Sequence, residues 1–395
     1  MIDIKQIAKK LKKPCYILEE EKLEKNLKIL QYVREKSGAK ILLALKGFAF
    51  WSSFKMVAKY LDGITASGFY EAKLGLEEFR RHKKDSIISV FSPAFKQKDI
   101  KNIAPFANHI IFNSFNQMIK YHHLLKNVEI GLRVNPMYSE VNPEIYNPCI
   151  QGSRLGINPF EFSKALEIYS LKNVSGLHFH THCEQNSDAL KRTLEHFIKY
   201  FGKYLNGLKW VNFGGGHHIT REDYDIDLLI KIIKDFKAKY NVDVYLEPGE
   251  AIGWKCGVLV GEVVDLIHNT FDIAITDLSA ATHMPDCLEM PYTPQIRDSK
   301  IIDLNNLQDL PKDFKYCYRL GSPSCLAGDI IGDYAFRDSL EIGDKIIIED
   351  MIHYTIVKNN TFNGIPLPSL AILKKNGDFK IVKKFNYKDY KRRNG

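Results

Sequence analysis

The sequence predicts a (β/α)8 TIM-like barrel followed by a C-terminal all-β domain, and three observations lead there. From about residue 22 to 250, helix-period stretches alternate with eight short apolar runs, the pattern of parallel strands wound by helices. The first of these, Ile41-Leu42-Leu43-Ala44-Leu45, is apolar without alternation and is stopped by Lys46 and Gly47, as in a strand buried on both faces. After residue 255 the texture changes to short β-rich segments separated by Gly, Asn and Asp turns.

Taken in order, residues 21–36 carry helix-period leucines and precede the run at 41. The run 64–67 precedes helical sequence at 71–82, and 86–91 is the next strand. The run 109–113 leads to helical 117–125, and 129–135 is strand-like. Helical 163–170 leads to a strand at 176–182, helical 189–205 to 210–213, and helical 228–240 to 242–246. Beyond these, 258–267, 272–276, 345–349, 354–357 and 370–374 read as strands of the second domain. The expected boundaries are 22–257 for the barrel and 258–395 for the β-domain, completed by residues 1–21.

The 395 residues can bury a sizeable core. No run of 18 apolar residues is present and the amino terminus lacks a signal-peptide core, so no membrane partner and a cytoplasmic location are expected. Seven cysteines without a CxxC pair suit reduced thiols. The net charge of +9 comes from dispersed lysines, dense only at 388–393. A solvated surface accounts for it without a nucleic-acid partner.

In a barrel, reactive groups collect at the C-terminal ends of strands. Lys46 stands at such an end, where desolvation lowers an amine's pKa and makes it a nucleophile toward aldehydes. Its alternative is a lysine that merely ends a strand. Gly214, Gly215 and Gly216 follow the strand at 210–213 and could cradle a phosphate with backbone N–H groups, or form only a tight loop. Glu247-Pro248-Gly249 places a carboxylate after the last barrel strand. His178, His180 and His182 alternate and would share one strand face, lying against a ring, ligating a metal or hydrogen-bonding in the core. Residues 322–329 form an irregular loop with one thiol, Cys325, which would act as an acid or be inert.

In this order, Ala44-Leu45-Lys46, 176–180, Phe213-Gly214-Gly215-Gly216, Glu247-Pro248-Gly249 and 322–329 resemble the fold-type III (alanine racemase-like) pyridoxal-phosphate decarboxylases. That group includes ornithine, diaminopimelate and carboxynorspermidine enzymes, and the resemblance runs from about residue 14 to 357. Glu247-Pro248-Gly249-Glu250-Ala251 and residues 283–292 are most similar to the carboxynorspermidine/carboxyspermidine branch. The resemblance implies that Lys46 is the Schiff-base lysine of pyridoxal 5′-phosphate, that His180 stacks on the ring, and that Gly214, Gly215 and Gly216 bind the phosphate. It further implies that Glu247 pairs with the ring nitrogen, that Tyr354 lies near the phosphate, and that Cys325 returns a proton after CO2 leaves. Arg154 occupies the basic position of the Ser-Arg-Leu-Gly segment.

The expected reaction is decarboxylation of an amino acid with a polyamine tail, in a homodimer with shared active sites and without a metal. Glu250, Asp286, Arg154 and Asp329 are the expected substrate-binding residues. Glu250 replaces the arginine of ornithine and diaminopimelate enzymes, which favours extra amines on the substrate. His182 and Cys183 replace the usual Gly-Ser. A diaminopimelate- or ornithine-type decarboxylase, a racemase, a cofactor-binding regulatory protein and a metal hydrolase on His178, His180 and His182 are the alternatives.

Overall fold

The structure, a computed structural model, describes residues 3–307, 310 and 312–395, so the first two residues of the segment 1–21 lie outside it. The chain divides into two compact units, one of residues 24–252 and one of residues 1–23 with 253–395.

The first unit is a closed barrel of eight parallel strands. Numbering all strands along the chain, with β1 (Cys15–Glu19) in the other unit, the barrel is β2 (Lys40–Ala44), β3 (Gly63–Ala66), β4 (Ile87–Phe91), β5 (His109–Phe112), β6 (Glu129–Arg133), β7 (Gly176–His178), β8 (Trp210–Asn212) and β9 (Asp243–Leu246). The barrel closes where Lys40 and Ile41 pair with Tyr245 and Leu246. Its interior is packed around Leu42, Ile111, Trp210 and Tyr245. The Trp210 indole passes over two glycines: a Cβ on Gly176 would lie 2.1 Å from it and one on Gly131 2.5 Å. Only glycine leaves room there for so large a ring. The helices fall where the apolar period puts them. Ser187–Phe201 buries Leu190, Leu194 and Phe197 along one stripe, and Ile226–Tyr240 stops at Asn241 in the left-handed conformation.

The eight apolar runs are all present as strands, but the expected strand 176–182 ends at His178. There the ladder closes with Val134 N–H donating to His178 and Phe179 N–H donating to Asn212, and the chain turns away. His178, His180 and His182 therefore do not share a strand face.

The second unit holds a nine-stranded sheet of mixed direction. Its further strands are β10 (Gly257–Asn269), β11 (Phe271–Thr276), β12 (Ser299–Ile301), β13 (Tyr316–Gly321), β14 (Ile330–Phe336), β15 (Lys345–Glu349), β16 (Ser369–Leu373) and β17 (Phe379–Lys383). Their order is β12-β14-β13-β11-β10-β1-β16-β17, with β15 on the other side of β10. Strand β1 sits between β10 (antiparallel) and β16 (parallel). This unit is sheet-rich rather than all-β, because short helices occupy Ala280–His283, Asp286–Glu289, Tyr354–Lys358 and Tyr387–Asn394. The expected strand 354–357 is one of them. Its β-branched Thr355-Ile356-Val357 favours a strand, yet the Thr355 hydroxyl donates to Asp286 and Ile356 N–H to His353, which winds the segment instead. The loop 322–329 joins β13 to β14.

Candidate active site

The C-terminal ends of the barrel strands bring together Lys46, Thr65, Arg133, His178, Asn212 and Glu247. Glu247 is 7% exposed. Asn212 Nδ2 donates to its Oε1 at 2.7 Å, and His178 Nε2 lies 3.3 Å from its Oε2. Burial alone would raise the Glu247 pKa, but the approach of His178 and the hydrogen bonds from Asn212 and Thr65 outweigh it and bring it down to about 2. Burial lowers the pKa of His178 against the opposite pull of Glu247. Asn212 and Thr65 are neutral donors, and their stabilisation of the carboxylate does not depend on His178.

Lys46 keeps solvent-accessible area while protein atoms crowd around it, as a side chain lining an internal hollow does. That crowding, and then the Arg133 guanidinium, lower its pKa against the opposite pull of Glu247. The fraction of free amine at neutral pH rises accordingly. Arg133 is buried, stacks 4.5 Å over the Phe91 ring and donates to the His180 carbonyl at 3.3 Å.

His180 accepts the Gly215 N–H on Nδ1 at 2.9 Å, which leaves its proton on Nε2. Burial and the nearby Lys46 push its pKa well down, so it is neutral. His182 packs against His217 with ring centroids 4.9 Å apart. The three alternating histidines thus have three separate partners: Glu247, Gly215 and His217.

The three glycines thread between the loops after β7 and β9. A Cβ on Gly215 would lie 2.4 Å from the Glu247 carbonyl, and one on Gly216 2.0 Å from that of His182. Gly214 N–H donates to Asn212 and Gly215 N–H to His180. Of the three N–H groups, that of Gly216 alone is uncommitted among the described residues, so the cradle is narrower than a three-glycine reading suggests.

On the same rim, Gln185 pairs with the 216–218 loop: its N–H donates to Gly216 and its carbonyl accepts from His218. This brings Glu184 to His218 and to Glu250, the first residue of the helix Glu250–Gly253. Their ligating atoms all lie within 4.8 Å of one another. Among the described residues this is the cluster of three that could hold a cation, and His178, His180 and His182 form none. Arg154 is exposed in the loop after β6, its carbonyl held by Asn113.

In the second unit, Asp286 is 3% exposed. Its Oδ2 accepts from Tyr292 and Thr355, while Oδ1 has no partner. Asp329 accepts from the Ser279 hydroxyl, the Ala281 N–H and the Ser324 hydroxyl. It ties the end of the 322–329 loop to the start of the helix Ala280–His283, and these three donors take most of the carboxylate's roughly four acceptor sites. Cys325 is exposed, with its N–H held by Asn363. Tyr354 opens its short helix half-buried. Sequence reasoning missed Arg133, Asn212, Glu184 and His218. Arg133 carried the same signal as Lys46, a lone cation ending an apolar strand.

Residues 15–352 match the family described as pyridoxal-dependent decarboxylase, C-terminal sheet domain. The chain belongs to the pyridoxal-dependent decarboxylases. It is 48% identical over 388 residues to a carboxynorspermidine/carboxyspermidine decarboxylase of Campylobacter jejuni, covering 98% of this chain and 99% of the relative. A carboxyaminopropylagmatine decarboxylase of Synechocystis is 41% identical, covering 98% and 96%. The crystal structure of the Campylobacter jejuni carboxynorspermidine decarboxylase with norspermidine superposes with a TM-score of 0.89 at 46% identity, covering 97% of this chain and all of that one. This decarboxylase is therefore a carboxy-lyase that uses pyridoxal 5′-phosphate. The barrel site fits that cofactor: a desolvated amine for its aldehyde and a buried carboxylate kept ionised. Among the described residues no helix is long and apolar enough to cross a membrane.

Proposed function

We propose that this decarboxylase removes CO2 from an α-amino acid with a polyamine tail, carboxynorspermidine or carboxyspermidine, giving norspermidine or spermidine. The observation that carries the substrate class is the Glu184–His218–Glu250 cluster on the barrel rim. A secondary ammonium donates two bonds of about 2.8 Å at a tetrahedral angle, which sets its acceptors about 4.6 Å apart. Carboxylates held that close would repel the distal carboxylate of diaminopimelate. The strong resemblance to enzymes named for such substrates supports the same reading.

When bound, pyridoxal phosphate supplies an aldehyde that condenses with amines and a ring that accepts the electron pair left by CO2. Lys46 Nζ, its pKa lowered by desolvation and by Arg133, would hold the aldehyde and give it up to the substrate amine. Glu247, fixed by Asn212 and charged at any working pH, would keep a proton on the ring nitrogen. Neutral His180 offers a flat face with its proton fixed on Nε2, and Gly216 N–H is available to a phosphate oxygen. Arg154 would meet the substrate's α-carboxylate rather than its cationic tail. Asp286, with one buried oxygen unpartnered, would take an ammonium of the tail. Cys325, exposed on its tethered loop, would return the proton to Cα, serving the partner's barrel in a cytoplasmic homodimer with shared sites. Asp329 holds that loop. Tyr354 would lie near the cofactor phosphate.

The test is CO2 release by the reconstituted enzyme from carboxynorspermidine, carboxyspermidine, carboxyaminopropylagmatine, diaminopimelate and ornithine. The first two differ by one methylene, worth about 1–3 kcal/mol, and both should be used, at kcat/KM at least about a thousandfold above the last two. A preference for diaminopimelate or ornithine would overturn the proposal.

A further inference from the structure

At the N-terminal ends of β4, β5 and β6, on the barrel face opposite the active site, lies a cavity of about 560 Å3. Its walls carry four cations, Arg80, Lys84, Lys101 and Lys126, against one acid, Asp85. Arg80 donates to the carbonyls of Phe106 and Ser86 and to Asn108 Oδ1, which holds its guanidinium in place. It has no carboxylate partner among the described residues. Desolvation lowers its pKa, so the cation is stripped of part of its water without an anion in exchange. Its Nε is buried with no hydrogen-bond partner.

Ser86 supplies a second donor. It is 2% exposed, lines the cavity, and its hydroxyl is also without a partner. Two buried donors without acceptors, on residues that line a cationic hollow, call for an acceptor carrying negative charge. Beside them, the half-buried Phe106 ring and Leu124 give an apolar wall. The volume exceeds what a lone inorganic anion fills and lies in the range of small-ligand sites, about 300–1,000 Å3. We propose that this cavity binds a phosphate-bearing organic anion of nucleotide size, its phosphate on Arg80 and Ser86 under the three lysines and its organic part against Phe106. The site uses none of the residues of the decarboxylation machinery.

The experiment is isothermal titration of the holoenzyme with AMP, ADP and inorganic phosphate, with the visible absorbance of the bound cofactor followed to show that its own phosphate site stays filled. AMP and ADP should bind at least about tenfold more tightly than inorganic phosphate, and about 0.3 M salt should weaken them several-fold. Replacing the exposed lysines together (Lys84→Ala, Lys101→Ala, Lys126→Ala) should weaken ADP at least tenfold with decarboxylation unchanged. Ser86→Ala, which leaves the Arg80 contacts intact, should weaken it about threefold or more. No binding of AMP or ADP at millimolar concentration, no preference over inorganic phosphate, or undiminished binding in the lysine variant would each overturn the proposal.

Discussion

The two units hold their buried carboxylates in opposite ways. In the barrel, Glu247 takes an amide and a hydroxyl donor and has the His178 imidazole beside it, with Lys46 and the Arg133 guanidinium acting on the same region. In the sheet-rich unit, Asp286 and Asp329 are held by hydroxyls and a backbone N–H, with no cation paired to either among the described residues. A barrel end collects charged side chains from several strands at once, and their mutual fields shift the pKa values that chemistry needs. The sheet unit instead fixes single carboxylates by short-range hydrogen bonds. The barrel is built for reactivity, the sheet unit for position.

The sharpest test of that contrast is substitution at the barrel end. Lys46→Ala should lower kcat by about 10⁴-fold or more, and borohydride should no longer fix the cofactor to the chain. Glu247→Gln should keep the cofactor yet lose about 10²–10⁴ in kcat with little change in KM, since the loss lies in the transition state. A Glu247→Gln enzyme with near-normal kcat would erase the functional distinction between its carboxylate and those of the sheet unit.

Glu250 and Asp286 are the acids proposed above to take the ammonium groups of the tail. Glu250→Gln and Asp286→Asn should each reduce kcat/KM on carboxynorspermidine by about ten- to a hundredfold, the worth of one charge-assisted hydrogen bond, while cofactor absorbance stays unchanged. If Glu250→Gln is silent and Asp286→Asn is not, recognition belongs to the sheet unit alone.

The barrel was legible in the sequence because each of its strands is a short apolar run between helices, and its register follows from burial on both faces. Lys46 and Glu247 were legible because strand ends are where polar groups interrupt such runs. The second unit was harder to read. Its strands β13 and β14 alternate polar and apolar residues such as Arg319 and Asp333, which pair across the ladder at 2.7 Å, so no apolar run marks them. The short helix at Tyr354 depends on Thr355 meeting Asp286, 69 residues away in the chain. No local pattern encodes such a contact. The convergence of Glu184, His218 and Glu250 likewise requires two loops and the start of a short helix to meet.

Acid should expose the contrast in stability. Burial lowers His217 in the barrel and His283 in the sheet unit from 6.5 to about 4, and it lowers His178, His180 and His182 as well. A histidine with a depressed folded pKa contributes stability that is fully present above the unfolded value and is lost as pH falls from 6.5 toward 4. Each such group steepens the loss by up to about 1.4 kcal/mol per pH unit. Urea midpoints at pH 7.5, 6.0 and 5.0 should fall steeply for the wild type, and less steeply for His217→Asn. Parallel pH profiles for the two proteins would show that the barrel histidines already titrate normally.

The smallest effect, and the one that tests the positional reading of the sheet unit, concerns Asp329. Its three donors connect β14 and the cysteine loop to the helix Ala280–His283. A carboxylate so satisfied has little left for a substrate ammonium, and its removal should register as lost order. Ser279→Ala deletes one donor of the network and also the cap of the Ala280–His283 helix, since Ser279 Oγ accepts from Thr282 N–H. It should cost about 1–3 kcal/mol, read by urea denaturation at neutral pH, with kcat/KM within about a factor of two. Asp329→Asn should behave alike, because the amide keeps one acceptor oxygen but places a donor against two N–H or O–H groups. If Asp329→Asn instead lowers kcat/KM tenfold at unchanged stability, Asp329 contacts substrate, and the sheet unit contributes to recognition through both of its buried carboxylates.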